Sequence, residues 1–144
     1  MNKTKLFLLA LMAIVVAACA TDTVDGGAVS AETAVAKKLL NTSVGAMQGE
    51  LIIYVDEATA DHLAGVEVAT RSGLTEMDAV AEELSATDLR PVFNLKVNST
   101  QKREMGMHRW FVMNFPENAD LERAALRLAE VKAVERVQFS KQVE

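Results

Sequence analysis

Residues 109–115 read Arg-Trp-Phe-Val-Met-Asn-Phe, and no other stretch limits the possible folds of this chain as much. Aromatic and branched side chains crowd into it and Pro116 closes it, so it is expected to form a strand. Side chains alternate across a strand, which puts Phe111, Met113 and Phe115 on one face and Trp110, Val112 and Asn114 on the other. Directly downstream, Leu121, Ala124, Ala125 and Leu128 recur at helical spacing. Asn118 is the expected cap of that helix, and Asp120 and Glu122 suit the positive end of its dipole. A strand feeding an amphipathic helix requires a sheet for the helix to cover.

The remaining segments supply that sheet. Residues 50–55 (Glu-Leu-Ile-Ile-Tyr-Val) form a β-rich run between Gly49 and Asp56. Residues 56–73 mix polar and small side chains and read as loop, ending in Thr70-Arg71-Ser72-Gly73. Thr75 with Asp78 resembles a capping box, and Met77, Val80, Ala81 and Leu84 follow at helical spacing. Residues 89–94 predict a second strand, with Pro91 placing it at an edge or bulge. Residues 96–107 read as loop, and residues 134–139 as the last strand. The order strand, helix, strand, strand, helix, strand predicts an α+β fold: a ferredoxin-like βαββαβ sandwich, with an antiparallel four-stranded sheet and two helices on one face.

Alternation divides the sheet. The covered face is expected to hold Leu51, Ile53, Val55, Phe93, Phe111, Met113, Phe115, Val137 and Phe139. Polar residues mark the other face as open, and it keeps Ile52, Tyr54, Val92, Trp110 and Val112. The only tryptophan and the only tyrosine of the chain therefore fall where solvent is expected. An apolar patch rimmed by polar groups marks a contact site.

The N-terminus has its own logic. Lys3 and Lys5 precede an uncharged run over residues 6–18, which is too short to span a bilayer and fits the core of a secretory signal. Val16-Ala17-Ala18-Cys19 resembles the lipobox of bacterial lipoproteins, and Cys19 is the single cysteine. That resemblance implies cleavage before Cys19, acylation of it and membrane anchoring through the lipid. Ala20 rather than Asp after the cysteine implies the outer membrane of a Gram-negative bacterium. The expected organisation is a signal peptide over 1–18, a tether over 19–48 and a folded domain over 49–144. Within the tether, residues 31–40 predict a short helix with Val35, Leu39 and Leu40 on one side. Removing Lys3 and Lys5 from the 15 basic residues leaves 13 against 20 acids, a formal charge of −7 that disfavours nucleic acid.

Catalytic chemistry is not legible in the chain. No serine or threonine sits in a nucleophile elbow, no glycine loop suits phosphate, and His62 and His108 lack metal-ligand spacing and are expected at the surface or an edge. Asp56/Glu57 and Glu82/Glu83 are neighbours that diverge on a helix or strand, so they read as solvated charges. The expectation is a non-enzyme with no catalytic residue, no metal and no cofactor.

Several segments together resemble the N-terminal prodomain of subtilisin-like serine proteases (subtilases) of the bacterial lipoprotein type. They are Gly49-Glu50-Leu51-Ile52-Ile53, Thr70-Arg71-Ser72-Gly73, His108-Arg109-Trp110-Phe111-Val112, Asp120-Leu121-Glu122-Arg123-Ala124-Ala125 and Val134-Glu135-Arg136-Val137-Gln138-Phe139. The resemblance covers roughly residues 41–140 and rests on the order and spacing of these segments. It implies an intramolecular chaperone and temporary inhibitor of a subtilisin-like serine protease domain, acting in cis or in trans. It assigns Ile52, Tyr54, Val92, Trp110 and Val112 to the protease-docking face, and Ser140, Lys141, Gln142, Val143 and Glu144 to a tail directed into the cleft. The sequence departs from the family in showing no Asp/His/Ser peptidase domain, and only Lys141 as a basic residue after the last strand. A free-standing outer-membrane lipoprotein, acting as an inhibitor or as a structural or adhesion module, is the alternative.

Overall fold

A computed structural model describes residues 26–65, 72–94 and 99–142. The signal peptide, Cys19, Thr70, Arg71, Val143 and Glu144 lie outside the described residues.

The chain runs α1 (Gly26–Lys38), β1 (Ala46–Val55), α2 (Glu57–Leu63), α3 (Thr75–Glu83), β2 (Asp88–Pro91), α4 (Ser99–Glu104), a 3-10 turn (Met107–Arg109), β3 (Trp110–Asn114), α5 (Leu121–Glu130) and β4 (Val134–Lys141). The four strands form one antiparallel sheet in the order β2-β3-β1-β4. The fold is α+β, with helices packed on that sheet.

β1 is the spine. It pairs with β3 through Leu51↔Met113 and Ile53↔Phe111, and with β4 through Leu51↔Phe139 and Ile53↔Val137. Leu51, Ile53 and Val55 are inaccessible to solvent. They share one cluster with Phe111, Met113, Phe115, Val137 and Phe139 and with the buried sides of α2, α3 and α5. The predicted covered face is therefore the helix-packed face for every expected residue except Phe93. β2 ends at Pro91, beyond which the Val92 N–H still donates to the Trp110 carbonyl but no strand continues, so alternation no longer reports a face, and Phe93 is exposed. Leu89, opposite Met113, packs against the core instead.

Four local assignments differ from expectation. Residues 57–63 are helix rather than loop, because the Asp56 carboxylate accepts the Thr59 N–H at 2.8 Å and Thr59, Ala60 and Leu63 turn to the core. Residues 99–104 are also helical within the expected loop. α5 is capped by Asp120, whose side chain accepts the Arg123 N–H, and not by Asn118. At α3 the cap position is Leu74, and Thr75 is the first helical residue. Asp78 does reach back, accepting from the Ser72 N–H, the Ser72 hydroxyl and the Gly73 N–H.

α1 lies beside α5 and β4, where Val35 and Leu39 join the core, and Lys38 Nζ donates to the Val131 carbonyl at 3.1 Å. The helix ends at Lys38 and the chain becomes extended, so Leu40 falls on the opposite side from Leu39 and is exposed, contrary to the helical spacing. Leu39 bridges Val137, the Leu40 N–H donates to the Val137 carbonyl, and the Asn41 amide both donates to and accepts from the Phe139 backbone. These contacts occupy the outer edge of β4.

Gly49 sits inside β1 at φ +71°, where the register with β4 shifts, and a Cβ there would lie 2.7 Å from the Phe115 carbonyl oxygen. Gly49→Ala is expected to cost about 2 kcal/mol in urea unfolding; a change below about 0.5 kcal/mol contradicts this account of the register shift.

Glu83 ties α3 to α5 through Arg127 and Arg123, and Arg127 also meets Glu130. Hydrogen bonding from Arg127 holds the Glu83 carboxyl below its ordinary 4.5. The hydrogen bonds at Thr59 hold Asp56, and the Arg103 guanidinium holds Asp61, below the ordinary 3.8. A carboxyl depressed on folding stabilises fully above its unfolded value and loses that stabilisation as pH falls through its folded value. Thermal melts are therefore expected to be level from pH 7 to about pH 5 and to fall below about pH 4, with Glu83→Gln flattening the acid limb.

Candidate docking face

The face opposite the helices is built in three rows across the sheet. Arg90, Val112, Ile52 and Gln138 form the middle row. Asp88, Asn114 and Glu50 form one flanking row, and Trp110, Tyr54 and Arg136 the other. Ile52, Tyr54, Trp110 and Val112 all lie outside the core cluster. α1 joins the core on the helix side, so its residues from Glu32 onward do not cover these rows.

The rows are less exposed than a bare apolar patch. Ile52, Tyr54 and Trp110 are half-buried, and Val112 is only 6% accessible. Val112 is flanked in register by Ile52 and by Arg90, whose stem covers apolar surface while its guanidinium meets Glu50 and Asp88. Val92 does not continue the rows. It follows the end of β2, donates its N–H to the Trp110 carbonyl, and lines a groove of about 660 Å³ with Phe93, Ala60, Ala64 and Phe111 on the helix side of the sheet edge.

Tyr54 organises one corner. Its ring centroid is 4.8 Å from that of Trp110, with the planes tilted by 52°. The Arg109 guanidinium carbon sits 4.2 Å from the Tyr54 centroid and that of Arg136 5.5 Å, both within cation–π range. Arg109 is fixed by donating to the Val55 carbonyl at 2.7 Å and pairing with Glu135 at 2.7 Å. The register passes from Tyr54↔Arg136 to Val55↔Val134, a bulge that presents Glu135 and Arg136 together at the surface. Gly106, at φ +69°, lies against the Tyr54 hydroxyl, leaving no room for a Cβ.

The predicted tail is placed differently. Ser140 and Lys141 belong to β4, because β1 starts at Ala46 and pairs it with Lys141. Ser140 is buried and its hydroxyl reaches the Met47 sulfur at 3.7 Å. Gln142 is the first residue after the strand.

A second polar cluster closes the end of α2. The buried His108 has its Nε2 2.8 Å from Glu57, and Arg103 meets Asp61 at 2.5 Å and Glu57 at 3.5 Å. His108 is thus a core histidine rather than the surface or edge residue expected, drawn inward by the 3-10 turn. Its Nδ1 has no hydrogen-bond partner. Glu57, Asp61 and His108 bring potential ligand atoms within 4.8 Å of one another. Arg103 already supplies the positive charge to both carboxylates, so the arrangement is satisfied as a clamp between α2 and α4. The i, i+4 spacing of Glu57 and Asp61 was readable in the sequence, but the loop expected over 56–73 hid it.

No protein-family model matches this chain, and neither a search of curated proteins nor a search of solved structures finds a match. Among the described residues, no helix is long and apolar enough to cross a membrane.

Trp110 is the only tryptophan, so its fluorescence reports this corner alone. Tyr54→Ala is expected to raise acrylamide quenching of Trp110 and shift its emission to the red. An unchanged spectrum contradicts the packing described for the pair.

Proposed function

We propose that this chain is a non-catalytic, ferredoxin-like prodomain of the subtilase type, which docks a serine protease domain through the open face of its sheet. The observation that carries the reading is the segregation of the two sheet faces. Helices and core occupy one side, while Trp110, Tyr54 and Ile52 stand on the other, outside the core cluster. The strand order β2-β3-β1-β4 with helical connections after β1 and β3 is that of a βαββαβ sandwich, which supports the finer fold assignment.

A preformed sheet face of this kind templates a partner because its rows are rigid before contact, so little ordering entropy is lost on binding. Trp and Tyr are favoured anchors, while Val112, already buried by its neighbours, adds shape rather than energy. The chain beyond β4 continues from an edge strand, and in this reading residues 142–144 enter the protease cleft and block it until removed. In this reading the lipobox-like Cys19 carries a lipid anchor that holds the assembly at the outer membrane. In this reading the domain acts as chaperone and temporary inhibitor rather than as a catalyst.

The chain is expected to slow peptide hydrolysis by subtilisin-type serine protease domains, tested as a panel that includes any such domain encoded in frame downstream. Trp110→Ala is expected to weaken inhibition about tenfold without lowering the melting temperature by more than a few degrees. Removing residues 142–144 should weaken inhibition and leave the fold intact, whereas removal from Ser140 onward also strips the Ala46↔Lys141 pair and destabilises it. Absence of inhibition across the panel overturns the reading, and inhibition indifferent to Trp110 overturns the docking face.

A further inference from the structure

The open face carries three arginines with different situations. Arg90 meets Glu50 at 3.6 Å and Asp88 at 3.9 Å. Arg109 meets Glu135 at 2.7 Å and donates to the Val55 carbonyl. Arg136 is exposed, and no carboxylate lies within 4.0 Å of it among the described residues; its neighbour is the Tyr54 ring. Arg136 faces outward opposite Tyr54 in regular register, the bulge that follows brings Glu135 to the surface beside it, and Glu135 is already engaged by Arg109. The corner therefore holds two guanidinium groups within cation–π range of one aromatic ring, and its two carboxylates, Glu135 and, at 4.0 Å, Glu57, both serve Arg109 rather than Arg136.

We infer that Arg136, steadied on the Tyr54 ring, is the ion-pairing anchor of the open face and takes a carboxylate that the docked protein presents beside an apolar patch. The inference rests on the docking reading above and names the partner chemistry of that same face. A guanidinium held within cation–π range of an aromatic ring loses part of its rotational freedom before binding, so less is lost when it closes a two-pronged bond with a carboxylate. Trp110 and Ile52, in the adjoining positions of the rows, supply the apolar contact that excludes water around the pair. Charge selects a protein over an anionic membrane as the occupant. The chain carries 20 acidic against 15 basic residues, and this corner offers one uncommitted arginine, whereas anionic headgroups are held by clusters of several.

The test uses the full chain, the most sensitive protease of the panel and a salt series. Arg136→Gln is expected to raise the inhibition constant about tenfold at low salt and to flatten its dependence on ionic strength. Arg136→Lys should recover only part of the loss, because an ammonium lacks the fork. The melting temperature of both variants should stay close to that of the parent, since Arg136 makes no ion pair among the described residues. If Trp110→Ala weakens inhibition while Arg136→Gln changes neither the constant nor the salt slope, the docking reading stands and this inference is overturned. If the parent inhibits no member of the panel, both fall together. Sedimentation with phosphatidylglycerol vesicles separates the other occupant: binding that Arg136→Gln abolishes assigns the arginine to lipid and overturns the protein partner.

Discussion

Everything in this molecule depends on β1 being a central strand whose alternate side chains have no access to water. Leu51, Ile53 and Val55 sit between β3 and β4 and beneath the helices, so a slip of one residue would exchange them for Glu50, Ile52 and Tyr54. Such a slip would bury Glu50 and expose the largest fully enclosed side chains, a cost of several kcal/mol in hydrophobic transfer alone. Gly49 helps fix the register by admitting the Phe115 carbonyl where any side chain would clash. The same register dictates that Tyr54 meets Trp110 on one side and Arg136 on the other.

The two outer strands solve opposite problems. β2 is short and ends on a proline, which denies pairing to a further strand. β4 is long, and its outer edge is met by Leu39, Leu40 and the two-way hydrogen bond of Asn41. The segment before β1 is therefore part of the folded unit from at least Val35, although its composition resembles a tether. The β4 edge is thus occupied by residues 39–41 of the chain itself, whereas the docking proposal concerns the sheet face.

The open face and the α2 cluster differ in how far their charges are satisfied. Around Glu57, each carboxylate has an arginine or histidine within reach, and the group left over is a ring nitrogen enclosed within the protein. Around Tyr54, the group left over is a guanidinium at the surface. A satisfied internal network stabilises the protein's own elements, while a solvent-facing cation on an aromatic platform is available to a second molecule. That contrast, more than the extent of apolar surface, directs the functional reading to the sheet face.

Local pattern was enough to define β1, β3, β4 and α5 and to sort their residues between faces, because period-2 and period-3.6 alternation survive wherever one side is buried. It lost its meaning after Pro91, where β2 ends and Phe93 is exposed, and it missed α2, whose small and polar residues carry a weak apolar signal. The strand order followed from chain connectivity as an expectation, but three features belonged to tertiary structure alone. These are the β4 edge contacts of residues 39–41, the burial of His108 against Glu57, and the strand pairing that sets Arg136 over Tyr54. Each joins residues more than fifty positions apart, and no local window contains both partners. The sequence thus determined which side chains face inward along each element; only the packing of those elements decided which charges find partners and which arginine is left facing solvent.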